Sequence, residues 1–443
     1  MCAIRRLARR QPRLLALCAA FVSAACGIPT PPTDYVSITG ATTLTAVGQT
    51  EQLTAKNASG TVVSGSVTWK SANAAVVTIS AAGLVTATGL GATIINATYQ
   101  SATTIQPIAV GPQGVTPIAA CGTQSAPGSY VVATDLFPVG PTASCLTFNG
   151  ASSLQLDCQG HSISSLVLNG ISGGTVTNCS AQSVTGNGVS NLTITRSALG
   201  TLAFTGATSC FVTNSTFSPS VGTKTDAGVF LTAGRNNQIL NNAIAGGYDG
   251  SAAMVGIDDG IVLENETGDL IQGNTITNFW DTAVEGVGGV ANTTIANNTM
   301  TNLGMTGIGT YWCTNWSNNV IRGNAVSRSP ALLWAVYLTG GPCGSPPVPG
   351  FVGNQFLGNS FSAPASGYQS AVVVASPRMF VFLGSGAPVS SNVLQGNDFG
   401  SNDGPEFTPL SGFIDGGGNI CGPLNPAISN FVCTGGGSVG FRR

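Results

Sequence analysis

Nine of the chain's seventeen Asp and Glu residues (Asp226, Asp249, Asp258, Asp259, Glu264, Glu266, Asp269, Asp281 and Glu285) fall between positions 226 and 285, where Arg235 is the only Lys or Arg. In a chain of 443 residues with 7% charged and one histidine, such a concentration calls for a reason. Carboxyls roughly 5–10 Å apart are the working parts of glycosidic hydrolysis, one giving a proton and the other acting as nucleophile or activating water. The same oxygens suit Ca²⁺, which takes several hard oxygen ligands. Like charges this close are otherwise unfavourable unless a proton is shared or a cation binds.

The elements that position these residues are read from composition and repeat. Hydrophobic residues make up 43% and the 60 glycines and 23 prolines punctuate runs rich in Val, Thr, Ser and Asn, which excludes bulk disorder and favours strands and turns. Too few charges remain for a coiled coil or for neutralising a nucleic-acid backbone. From about Val115 onward a unit of the form apolar-x-x-Asn-x-apolar recurs, as in Ile239–Ile244, Ile271–Ile276, Ile295–Met300, Ile321–Val326, Phe356–Phe361 and Leu394–Phe399. With degenerate copies from Val176, Ile194 and Val212, its anchors stand 18 to 38 residues apart. One polar residue fixed beside alternating apolar ones marks a solenoid, with inward residues stacked into a core and asparagines laddered at one turn.

Aligning a second strand of each coil predicts an inward column Val229, Ile261, Val284, Ile308 and Val336, and an outward column Phe230, Val262, Glu285, Gly309 and Tyr337. The next outward column holds Thr232, Glu264, Val287, Tyr311 and Thr339. Counting back, Asp226, Asp258 and Asp281 also share an outward column, with Asp259 beside them at the strand entrance. Tyr311 and Tyr337 are placed to stack on sugar rings, Glu264, Glu285 and Arg235 to line the same face, and Trp280, Trp312 and Trp334 lie nearby. His161, beside Gly160, reads as a structural residue.

These repeats resemble the right-handed parallel β-helix superfamily of pectate lyases and polygalacturonases. The resemblance implies a pectin-lyase-like solenoid over 112–443, a fold that also carries adhesins and structural envelope proteins. Polygalacturonases place paired aspartates on one coil and another aspartate on a neighbour, to which Asp258-Asp259 with Asp226 or Asp281 is similar. That implies Asp258 or Asp259 as general acid, with Asp226 and Asp281 as base; the family's Gly-His-Gly and Arg-x-Lys motifs are absent. Pectate lyases combine a Ca²⁺-binding acidic cluster, here Asp226, Asp258 and Asp281, with a basic residue, for which Lys224 and Arg235 flank the strip. Hydrolase, lyase and a non-catalytic, Ca²⁺-stabilised strip on an adhesin stay open at this level.

Ahead of the solenoid, residues 35–111 alternate in short runs, and VGQTEQLTA (47–55), VTWKSAN (67–73) and the run from Val77 to Tyr99 resemble the bacterial immunoglobulin-like group 2 family. The resemblance implies a β-sandwich with Trp69 in its core, of a kind that commonly serves as a spacer or adhesive module. The expected fold class is therefore all-β: an immunoglobulin-like sandwich followed by a right-handed parallel β-helix. Residues 1–25 carry Arg5, Arg6, Arg9, Arg10 and Arg13 before an apolar run, the pattern of a signal peptide. Val22-Ser-Ala-Ala-Cys26 resembles a lipobox, which implies lipidation at Cys26 and a Pro-rich tether over 26–34. Cleavage there leaves ten basic against seventeen acidic residues, a net charge of −7. In an oxidising compartment the remaining cysteines read as bridges, and proximity suggests Cys121–Cys145, Cys158–Cys179, Cys313–Cys343 and Cys421–Cys433, with Cys210 left over. The expected protein is an extracytoplasmic one, tied to a membrane by lipid alone, whose partner is a polysaccharide or cell-surface glycan.

Overall fold

The computed structural model describes residues 35–420 apart from 113, 139–143, 221–226, 251–255, 337–349, 363–378, 384–385, 400–405 and 409–410, with backbone alone at 312–314, 380 and 406–408. The signal segment, the tether with Cys26, Lys224, Asp226, Tyr337, Cys343, Cys421 and Cys433 therefore lie outside the described residues, as do the side chains of Trp312 and Cys313.

Each mid-chain coil has three strands. A short strand such as Gln238–Leu240 leads through a tight turn to Ala243–Ala245, and a loop then reaches the longer strand Asp259–Thr267. Stacked in parallel, these strands form sheets of thirteen and twenty strands among the described residues. The repeat anchors align in register, Ile239 on Ile271, Ile271 on Ile295, Ile295 on Ile321 and Ile321 on Phe356. All five are essentially without exposure, inside one continuous apolar core.

The asparagine positions form a buried ladder at the tight turn. The backbone N–H of Asn242 donates to Asn274 Oδ1 (2.9 Å), Asn274 to Asn298 (2.9 Å), Asn298 to Asn324 (3.0 Å), Asn324 to Asn359 (3.0 Å), Asn359 to Asn397 (3.1 Å) and Asn397 to Asn419 (3.0 Å). Each amide also donates inward to a strand carbonyl, as Asn298 Nδ2 does to Ile271 (2.9 Å). The residue before each rung is left-handed, with Asn241 at φ 54°, Gly273 at 69°, Asn297 at 53° and Gly323 at 61°. Only Gly and Asn enter that region at little cost, so Asn-Asn and Gly-Asn spell the turn.

A second ladder, which the sequence did not disclose, runs five residues earlier through Cys210, Asn237, Asp269, Thr293, Asn319, Asn354 and Asn392. Cys210 is its first rung, buried and not disulfide-bonded, its Sγ donating to Val189 O. Asp269 breaks the amide pattern. Its Oδ1 accepts from Asn237 N (2.7 Å), while its Oδ2 is buried without a donor. The adjacent Glu266 accepts from Gly234 N (2.6 Å) and Asn237 Nδ2 (3.3 Å). Burial, reinforced by the Asp269 charge, pushes the Glu266 carboxyl up to about 8, and burial raises Asp269 to about 6 against the pull of Asn237 N–H. The pair is therefore held together by a shared proton.

The disulfides Cys121–Cys145 and Cys158–Cys179 close the first coils. Residues 36–110 form two-, three- and four-stranded sheets, with a main core of Leu44, Leu53, Val77, Val85, Ile95 and Ile108 and a smaller cluster of Val36, Ala55, Val67 and Ala97, and Trp69 packs against both. Its indole donates to Ser64 O (3.0 Å). This sandwich is seated on the solenoid's first coils rather than held away from them. Ala92 and Ala109 pack with Val131 and Ala133, and Gln159 accepts from Ala92 N (3.1 Å) and donates to Val132 O (3.2 Å).

Two stability measurements test the ladders. Asn298→Ala strands Asn274 N–H and Ile271 C=O and should cost about 2–4 kcal/mol in denaturant unfolding; the exposed, left-handed Asn297→Gly should cost under about 0.5 kcal/mol. Equal costs would contradict the ladder account. Glu266 and Asp269 hold protons in the folded chain at pH values where the unfolded chain has lost them. Stability from this pair is greatest at acidic pH and falls as pH rises from about 5 to about 8. Asp269→Asn restores an amide rung and should stabilise by about 1–2 kcal/mol at pH 8 and progressively less towards pH 5; a gain that does not depend on pH would refute the shared proton.

Candidate active site

The acidic residues gather where the third strands of consecutive coils begin. Asp258 and Asp281 are in register on neighbouring coils, Asp281 N donating to Asp258 O (3.0 Å) and Met305 N to Asp281 O (3.0 Å). Neighbouring strands lie about 4.8 Å apart, so their side chains start as neighbours. Just inside each strand, two consecutive residues face the core. Ala283 and Val284 are both fully buried in it, as are Leu332 and Leu333, and a Cβ on Gly260 would meet Ile276 Cγ2 at 2.5 Å beside buried Ile261. A flat strand cannot send consecutive side chains to one side, so the alternation changes phase there. Strict two-residue counting from Glu285 back to Asp281 fails at this point. The phase change turns Thr282 and Asp259 to the outer side, the side that Glu285 occupies beyond it.

Register also corrects the last aligned segment. Ile308 pairs with Leu333 and Gly309 with Trp334; the expected partners Val336 and Tyr337 are three residues too far along. Single-column counting had no means of detecting this shift.

The cluster is built from both sides of the phase change. The indole Nε1 of Trp280 donates to Asp258 Oδ1, and Thr282 Oγ1 donates to Asp281 Oδ1 (2.8 Å). Asp259 and Glu285 are joined carboxyl to carboxyl, a hydrogen bond that exists only if one of them carries a proton. On the next coil Gly309 stands opposite Glu285. A Cβ on Gly309 would meet the Tyr311 ring at 2.6 Å and Thr282 Oγ1 at 2.9 Å, so those side chains fill the space that the glycine leaves. Asp259 Oδ1 and the Tyr311 hydroxyl are walled in without hydrogen-bond partners.

Burial dominates the electrostatics. It lifts the Asp259 carboxyl well above the usual range, with Glu285, Asp281 and Asp258 pushing the same way. It raises Glu285 to about 7, aided by the Asp281 charge, and Asp281 to about 6 against the Thr282 hydrogen bond. The Tyr311 phenol is raised by burial and by the Asp281 charge. Carboxyls displaced in this way are a mark of sites that do work.

The structure brings Asp258, Asp259, Asp281, Glu285 and Tyr311 together. Tyr311 is only 8% exposed, so it offers no open face for sugar stacking, contrary to expectation. Glu264 is half-buried on the same strand as Asp259 and adds its charge to Glu285. Arg235 is exposed in the turn beyond the far end of its strand, its backbone bridged to Thr208 and Thr267. Among the described residues no group of three or more His, Cys, Asp or Glu is arranged to hold a metal ion, and Asp226, expected as a calcium ligand, lies outside them. His161 sits elsewhere, its Nδ1 3.2 Å from Asp135 Oδ1. The donor roles of Trp280 and Thr282 were not foreseen; a hydroxyl and an indole flanking Asp281 in Trp-Asp-Thr are a local signal that could have suggested them. The junction between the sandwich and the first coils holds a cavity of about 460 Å³, but Asp157 is its one acidic group, and it lacks an acid–base pair.

Residues 32–107 match the bacterial Ig-like domain (group 2), and residues 165–342 match the right handed beta helix region. No curated protein matches the chain. Among solved structures it is similar to the surface protein and adhesin PfbA of Streptococcus pneumoniae, at 14% identity and a TM-score of 0.40 over 68% of this chain and 89% of that one. It is likewise similar to the tailspike protein of E. coli bacteriophage HK620 in complex with pentasaccharide, at 14% identity and a TM-score of 0.40, over 70% of this chain but only 60% of the tailspike. The catalytic domain of a GH87 alpha-1,3-glucanase in complex with nigerose gives 12% identity and a TM-score of 0.42 over 91% of both chains. The two family matches, in this order along an all-β chain of stacked parallel coils, identify it as a bacterial group 2 Ig-like domain followed by a right-handed parallel β-helix.

Proposed function

We propose that the β-helix binds a polysaccharide across the acidic strip and hydrolyses it there. The observation that carries this reading is the carboxyl-to-carboxyl contact of Glu285 with Asp259 beside Asp281. Asp259 keeps its own proton in that contact, and burial holds Glu285 at about 7 beside Asp281 at about 6, the acid-and-base division that hydrolysis needs. Asp259 is almost wholly enclosed, so the acid role expected of Asp258 or Asp259 passes to the half-buried Glu285. Asp259 acts behind it as a positioning residue. Glu285 donates a proton to the leaving glycosidic oxygen as the C–O bond breaks, and Asp281 serves as nucleophile or takes a proton from the water that adds to the anomeric carbon. Asp258 and Trp280 border the strip. Of the two basic residues expected of a lyase, Arg235 is at the far end of its strand and Lys224 lies outside the described residues; the hydrolytic reading rests on the Glu285 and Asp281 pair. The Ig-like domain and the two disulfides support an extracytoplasmic location, and lipidation at Cys26 would tie the chain to a membrane.

Reducing-end release from a polysaccharide panel tests the activity. Glu285→Gln and Asp281→Asn should each lower kcat about 10²–10⁴-fold, and full activity in both variants would place the chemistry elsewhere. The rate should rise with pH through about 6 as Asp281 ionises and fall through about 7 as Glu285 loses its proton. Asp259→Leu keeps the site buried but removes the hydrogen bond that Asp259 donates to Glu285, so the falling limb should move to higher pH; an unmoved limb would rule out the coupling. For the anchor, labelled palmitate should enter the wild-type chain in bacteria and vanish in Cys26→Ala, while label retained in that variant would exclude this cysteine.

A further inference from the structure

Resting on that hydrolytic reading, we infer that the polysaccharide lying across the strip is built of uncharged hexopyranoses, neither a polyuronate nor a polymer of free amino sugars. Charge is the first argument. Asp258, Asp281 and Glu285 crowd Asp259, Glu264 adds its charge to Glu285, and the groups acting on Asp259, Asp281 and Glu285 include no Lys or Arg. A uronate would bring one more carboxylate per sugar to a place that already strains to hold its own, with no described cation there to neutralise it.

Hydrogen bonding points the same way. The Trp280 N–H and the Thr282 hydroxyl are already given to Asp258 and Asp281. Beneath them Asp259 Oδ1 and the Tyr311 hydroxyl are walled in, each residue more than nine-tenths buried, so neither offers a donor to a ligand on the outer side. The half-buried Asp258, Asp281, Glu285 and Glu264 carboxyls mostly accept, and sugar hydroxyls donate to them, whereas an ionised uronate carboxyl only accepts. An ammonium also donates, but it would stabilise the ionised carboxyls and draw off the proton that Glu285 must deliver. The Trp280 indole, anchored by Asp258 and half-buried, offers an apolar ring of the kind that the C–H face of a neutral pyranose covers.

The test uses the whole secreted chain with glucose and galactose homo-oligomers, oligogalacturonate and oligoglucosamine of matched length, reading binding by calorimetry and cleavage by reducing ends. At least one neutral oligomer should bind and be cut, with oligogalacturonate and oligoglucosamine about 100-fold weaker or more. Neutral binding should be almost unmoved between about 0.02 and 0.5 M salt. If oligogalacturonate or oligoglucosamine is cut as well as any neutral oligomer, and Glu285→Gln abolishes that cutting, the inferred substrate class is wrong while the hydrolytic site survives. If no oligomer of any charge is bound or cut, both the site and the substrate class fall.

Discussion

A buried amide that bonds to the amide one coil away is the interaction on which the rest of this molecule depends. At each tight turn the backbone gives up its own pairing, and a lone buried N–H or C=O there would cost about 1–3 kcal/mol. Asn supplies both an acceptor and a donor, so a stack from Asn242 to Asn419, continued back through Ser215 and Ser197, satisfies these turns and fixes the height of each coil against the next. Insertions can then lengthen the outer loops while the strands that flank the ladder keep their register. That rigidity is what makes residues far apart in sequence, such as Asp258, Asp281 and Glu285, into reliable neighbours.

The same constraint explains why carboxyls are placed so sparingly. Two carboxyl pairs occur near opposite ends of the same long strands: Asp259 with Glu285 at the entrance, and Glu266 with Asp269 at the exit. Burial acts on both, and both persist by holding a proton between them. They differ in access. Glu266 and Asp269 are sealed inside a ladder, where a proton only changes stability. Glu285 is partly open to the surface, where a proton can be handed on.

Much of this was legible in the residues. The apolar-x-x-Asn-x-apolar unit specified the solenoid, its core and its ladder, because side-chain direction and turn chemistry are local. The bridges Cys121–Cys145 and Cys158–Cys179 followed from proximity and are present; the other two lie outside the described residues. The site was legible only to its neighbourhood. Counting by twos assumes an unbent strand, and the paired inward residues Ala283 and Val284 reverse the phase, so the partnership of Asp259 with Glu285 across it was hidden. The pairing of Gly309 with Trp334 depends on how far the preceding loop displaces the strand, which no column of aligned residues encodes. The second ladder escaped because its rungs vary among Cys, Asn, Asp and Thr, which share hydrogen-bonding capacity but no single letter.

The central claim is that Glu285 keeps a proton near neutral pH because its burial and the Asp281 charge outweigh the hydrogen bond that Asp259 donates to it. Carbon-13 titration of the side-chain carboxyls, with Glu285 assigned by its Gln variant, reads this without any substrate. The account predicts a Glu285 midpoint at about 7, displaced upward in Asp259→Leu. A Glu285 resonance that titrates below about 5, in the range of an ordinary carboxyl, and does not respond to Asp259→Leu would contradict it.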